Sequence, residues 1–237
     1  MKGHWAVLPI LIVALVWLGV EESADTGTHV TGVRRTQAGG LGIQGAIRVS
    51  DPSVNHLPDC CDNPLEFVRP RVMLRYGDTN QVLLETGWEE RSDYSDDQVV
   101  ITRHGDPFDA FDEIRYNQYD LVEGQYYTWK VIECQNGVAV CAYIYWGGSW
   151  VQIDSDAASD TGYRERADVW VESNQSDPHP GTGSGAIHFN SLQLKTSSGT
   201  WYTWTDDRFP TSQSFAADPY DVCGLDPFNI FYVARTC

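Results

Sequence analysis

From Gly45 onward, apolar and polar residues alternate with a period of two, in short runs broken by turn residues. Such runs predict half-buried strands, because successive side chains of a strand point to opposite faces. GAIRVS (Gly45–Ser50) is the first. Phe67–Tyr76 follows, with Pro70 marking an edge or a bulge near its start. Further strands are predicted at Gln81–Trp88, Gln98–Thr102, Ala110–Tyr116, Tyr126–Cys134, Val138–Trp146, Trp150–Ile153, Ala167–Ser173, Gly185–Leu194, Trp201–Trp204 and Phe228–Val233. Gly77-Asp78, Asn136-Gly137, Gly147-Gly148 and Ser198-Gly199 supply turns between them. No amphipathic helix and no internal repeat is evident. Many short strands without helices predict one all-β antiparallel domain, a sandwich or a barrel. The stretch 173–185 reads as a long loop, either a cleft rim or a solvated connection.

The hairpin around Asn136-Gly137 sorts its side chains clearly. One face carries Tyr127, Trp129, Val131, Val140, Ala142, Ile144 and Trp146 and is the expected core. The other carries Thr128, Lys130, Ile132, Cys134, Cys141, Tyr143 and Tyr145. That mixture fits a binding groove or an ordinary half-exposed sheet.

The first 24 residues break the alternation. Lys2 precedes a continuous apolar run, Trp5–Val20, that is short for a spanning helix and suits a signal-peptide core. A retained N-terminal anchor is the alternative; in either case a secreted, extracellular location is expected for the domain. Residues 25–42 are polar and rich in Gly and Thr and read as a flexible lead-in, leaving 43–237 as the folded domain. Six cysteines in an exported chain predict disulfides. Cys134 and Cys141 flank the hairpin turn and bridge if its loop is wide or bulged. Cys60 and Cys61 are then left for Cys223 and Cys237.

Charge narrows the function. The chain has 33 Asp and Glu against 16 Lys and Arg, a formal charge of −17. This disfavours nucleic acid and anionic membrane surfaces as partners. It suits a protein working in acid and is shared by many acidic proteins that do not. Three acidic stretches, 89–97, 106–113 and 154–165, are dense but irregular. The last has calcium-loop spacing with Ala158 and Ser159 at positions that need a ligand and a glycine. They read as solvated loops, with a calcium site as the alternative reading. A zinc site is the weaker reading, since the cysteines have no CxxC spacing and the histidines are scattered, and no cofactor is expected.

Two carboxylates stand apart from these clusters. In VLLETGW, Glu85 points away from Val82 and Leu84 in strand alternation. In RADVWVES, Asp168, Trp170 and Glu172 share the side opposite Val169 and Val171. If the two strands lie in one sheet, Glu85 faces Glu172 across a groove lined by Trp88, Trp170, Tyr143 and Tyr145. Two close carboxylates in a partly desolvated groove give one acid and one base from a single residue type. Such a pair activates water against a peptide or glycosidic bond. Parity alone produces such pairs in any sheet. No Ser-His-Asp or Cys-His grouping competes.

The order of motifs resembles the neprosin domain, a secreted glutamic endopeptidase module related in fold to the eqolisins. GAIRVSDPSV (Gly45–Val54) is similar to its opening strand, and VLLETGW (Val82–Trp88) to its Ile-Glu-Ala-Gly-Trp motif. VWVE (Val169–Glu172) stands where that family has Trp-Gly-Gly-Glu, with Trp170-Val171 replacing the glycines. GTGSGAIHFNSLQL (Gly181–Leu194) and PYDVCGLDPFNIFYVARTC (Pro219–Cys237) resemble its later segments. The resemblance implies a jelly-roll-like, concanavalin-like β-sandwich stabilised by disulfides. It implies catalytic roles for Glu85 and Glu172, and an eqolisin-style alignment would put the second role on Asp168. One Glu would serve as base toward water, and the other, protonated, would polarise the carbonyl and donate to the leaving amine. A polypeptide is then the expected partner. The alternative is a non-catalytic module of the same fold that stacks a polysaccharide or peptide on Trp88, Trp170, Tyr143 and Tyr145. A glycoside hydrolase is a third reading, without the Glu-x-Asp-x-x-Glu strand that would favour it.

Overall fold

The computed structural model describes residues 28–35, 40–52, 54, 66–76, 82–92, 98–105, 112–156, 166–174, 185–205, 207–225 and 228–237. The segment read as a signal peptide, Cys60, Cys61 and most of the stretch read as the 173–185 loop lie outside these residues. The strands are β1 (His29–Arg35), β2 (Gly40–Arg48), β3 (Phe67–Tyr76), β4 (Val82–Arg91), β5 (Val99–Gly105), β6 (Asp112–Tyr116), β7 (Tyr126–Cys134) and β8 (Ala139–Trp146). They continue as β9 (Ser149–Asp156), β10 (Arg166–Ser173), β11 (Ile187–Thr196), β12 (Trp201–Thr203), β13 (Ser212–Phe215), β14 (Asp221–Cys223) and β15 (Phe231–Ala234). Two antiparallel sheets pack as a jelly-roll-like sandwich. A seven-stranded sheet runs β13-β1-β10-β3-β4-β5-β6. An eight-stranded sheet runs β14-β15-β11-β2-β7-β8-β9, with β12 paired to β11.

Alternation decides what fills the space between the sheets. From the seven-stranded sheet come Val68, Val72 and Leu74 of β3, Leu84 and Trp88 of β4, and Val169 and Val171 of β10. They meet Ile43 and Ile47 of β2, Trp129 and Val131 of β7, and Val140, Ala142 and Ile144 of β8. The hairpin face expected in the core is there, with Tyr127 and Trp146 partly buried against it. The indole nitrogen of Trp88 donates to the Arg48 carbonyl at 3.2 Å, tying the sheets together. Full burial of side chains this large is the main stabilising contribution in such a sandwich.

The structure differs from expectation in three places. Part of the segment read as a flexible lead-in is structured: β1 pairs with β10 on one side and β13 on the other. Its Gly and Thr content hid it, because neither residue looks like a core strand. The β7–β8 hairpin turns through a 3-10 segment, Gln135–Gly137, rather than a two-residue turn. The Cys134–Cys141 bridge forms there with a Cα–Cα distance of 5.9 Å. Cys223 and Cys237 pair with each other rather than with Cys60 and Cys61. The reason is local: β14 pairs with β15, so the chain end returns alongside Cys223, with Cα atoms 5.4 Å apart.

Candidate functional site

The outer face of the seven-stranded sheet carries charge where the inner face carries the core. On β3 the even positions Val68, Val72 and Leu74 face inward, so Arg69, Arg71, Met73 and Arg75 face outward. On β4, inward Leu84 and Trp88 leave Glu85, Gly87 and Glu89 outward. On β10, inward Val169 and Val171 leave Asp168, Trp170 and Glu172 outward. Backbone register then brings them side by side. Glu172 lies opposite Arg69, Trp170 opposite Arg71, and Arg71 opposite Gly87. Glu85 lies opposite Arg103 of β5.

Glu85 and Glu172 therefore share a face, and one side chain joins them. The Arg71 guanidinium is fully buried and ion-paired through Nη1 to Glu85 and through Nη2 to Glu172. Arg103 reaches the same two carboxylates, at 3.4 Å from Glu85 and 3.3 Å from Glu172. Glu85 is almost wholly buried at 1% side-chain exposure, while Glu172 keeps 15%. The cluster extends through Arg69, which pairs with Glu89 and with Glu113 of β6. Arg115 contacts the same two acids. Among the described residues five guanidiniums, counting Arg91 beside Glu89, thus surround four carboxylates, which is how so many charges can be held out of water. Burial, and then the charges of Arg103 and Arg69, push the Arg71 guanidinium well below its ordinary value. The carboxylates of Glu113 and Glu89 oppose that shift.

Close approach of the strands depends on glycine. A Cβ on Gly87 would stand 2.0 Å from the Pro70 carbonyl oxygen, and one on Gly32 would stand 2.2 Å from that of Val169. Gly32, Trp170, Arg71 and Gly87 follow one another across the sheet. The two large side chains are therefore flanked by strands that carry none at that level. Among the described residues, Glu85 Oε2 and Trp170 Nε1 are buried without a hydrogen-bond partner. Trp170 also lies against Phe215 edge-on and near the Arg71 guanidinium.

The other residues named from sequence are placed elsewhere. Trp88 is on β4 but faces the core, on the opposite side of the strand from Glu85. An odd-numbered offset separates the two, so no strand could present both to one groove. Tyr143 and Tyr145 belong to β8 in the other sheet and point to its outer face, away from this cluster. Asp168 shares the face with Glu85, but Met73 intervenes in the register. Asp168 is fully buried and bound by Arg34 and Arg166. Of the expected groove, Glu85, Glu172 and Trp170 are brought together. The sequence reading missed the arginines. Their signal was present in β3, where three of them recur at one parity of an otherwise apolar strand.

No family model matches the chain, and no curated protein matches it in sequence. Solved structures do match. Scytalido-glutamic peptidase, with a transition state analog inhibitor, superposes with a TM-score of 0.57 at 13% identity, covering 87% of this chain and 98% of that one. The chain shares the fold of the eqolisin glutamic peptidases. The same peptidase with a peptide-based transition state analog gives 0.54 at 11% identity, with the same coverage. SCP-B, a member of the eqolisin family in a complex with the tripeptide Ala-Ile-His, gives 0.52 at 13% identity over the same shares. At such identity the likeness speaks to the fold and not to the chemistry.

Proposed function

We propose that this chain is an exported, neprosin-like glutamic endopeptidase acting in acid, with Glu85 and Glu172 as its carboxylate pair. The observation that carries the reading is that both stand on one sheet face and share the Arg71 guanidinium. The fold of peptidases solved with peptide-like inhibitors supports it. Glu172, the more exposed of the pair, takes the proton from the attacking water. Glu85 in its acid form polarises the carbonyl and protonates the leaving amine. The two disulfides are consistent with an oxidising, extracellular compartment.

One observation favours a second reading. Arg71 and Arg103 occupy both carboxylates, and a carboxylate held ionised has no proton to donate. A non-catalytic module that binds extended polypeptide on the same face needs no such proton. The two readings separate in one experiment. The chain from residue 25 onward is incubated with denatured protein across acid and neutral pH, beside Glu85→Gln and Glu172→Gln. The peptidase predicts acid cleavage that falls by about 100-fold or more in each variant. No cleavage at any pH, with polypeptide still bound, leaves the binding module.

A further inference from the structure

The outer face of the eight-stranded sheet is unlike the rest of the molecule. In a chain with 33 acidic residues, β2, β8 and β11 contain none. The single acid of β7, Glu133, falls on the opposite side of its strand from Lys130. Two of the chain's three lysines, Lys130 and Lys195, stand on this face. Both lie against aromatic rings. The Lys130 ammonium is 3.9 Å from the Trp150 ring centre and 4.5 Å from that of Tyr143. The Lys195 ammonium lies 5.9 Å from the ring of Trp201. Tyr145 packs edge-on to Trp150 at 5.3 Å, and the two are 44% and 37% exposed. These contacts leave large aromatic area open to solvent.

We propose that this face is a binding site for an anionic polysaccharide, one built of uronic acid residues. Three features select that ligand. First, exposed Tyr and Trp rings offer flat apolar surface to sugar rings, while the strand amides around them are already paired. Second, β2, β7 and β8 are interior strands, so the face has no free backbone ladder for an extended peptide to join. Third, the local charge is positive within an acidic molecule. Lys130 and Lys195 are separated by two strand spacings and one pleat, through Gln44 and Gly42, or about 12 Å. That spacing suits carboxylates borne on separate sugars of one chain. Burial, and then the charge of Lys195, lower the Lys130 ammonium below its ordinary value, which an adjacent carboxylate relieves. The site is on a different sheet from the Glu85–Glu172 cluster and does not depend on its chemistry.

The test is affinity electrophoresis of the full chain in gels containing polygalacturonate, neutral galactan or polyglutamate. Polygalacturonate is expected to retard the protein, less so as salt rises. Lys130→Gln and Trp150→Ala each weaken that retardation about tenfold, a loss typical of one charged contact or one stacked ring. Trp150→Phe, which keeps an aromatic face, retains most of it, and this separates a lost contact from a lost fold. Equal retardation by galactan or by polyglutamate overturns the proposal, as does retardation indifferent to these substitutions. Absence of retardation in polygalacturonate overturns it outright.

Discussion

At the scale of the residue, Arg71 is the centre of the candidate site. A fully buried guanidinium is tolerated because Glu85 and Glu172 complete it. Removing one partner leaves the other charge buried and uncompensated. Arg71→Met should destabilise the protein by about 3–5 kcal/mol in urea unfolding, and Arg71→Met with Glu85→Leu should recover most of that loss. Additive losses in the double variant would show that the two side chains do not act as a pair. The sequence showed Glu85 and Glu172 through strand parity and motif order, both of which are local properties. It did not show what they touch. Arg71 precedes Glu85 by one hairpin and Glu172 by a long excursion, and only the β10-β3-β4 register puts it between them. Trp88 illustrates the reverse error. Its nearness to Glu85 in sequence suggested a shared groove, and alternation sends it to the core instead.

At the scale of the element, the strands were legible wherever one face is apolar. β3 and β7 begin and end where the pattern places them, and the inward residues of β7 and β8 are those the alternation selects. β1, β13 and β14 were not legible. Each is short or polar and is held by its neighbours rather than by an apolar stripe of its own. Glycines set how closely the strands approach. The Cβ of Gly87→Ala meets backbone, the Pro70 carbonyl, whereas that of Gly45→Ala meets the flexible end of the Leu192 side chain at 2.1 Å. Gly87→Ala is therefore expected to lower stability by roughly 1–3 kcal/mol, and Gly45→Ala by clearly less, in paired thermal melts. The reverse order would place the tight strand contact at β2 rather than at β4.

At the scale of the whole molecule, two sheet faces carry opposite chemistry: an ion-paired carboxylate cluster on one and lysines among aromatic rings on the other. The excess of 17 negative charges disappears near the sequence pI of about 4.5. Solubility should pass through a minimum there, measured as turbidity of the concentrated chain. Proteolysis in acid is then expected to be most easily observed on either side of that value. The position of β1 has a further consequence. It fills the slot between β13 and β10, directly beside Trp170 and Glu172. The Arg34-Arg35 step at its end is thus part of the sheet. A chain that began after Arg35 would be a receptor lacking its own donor strand. The heptapeptide HVTGVRR, supplied separately, would be the fragment that complements it.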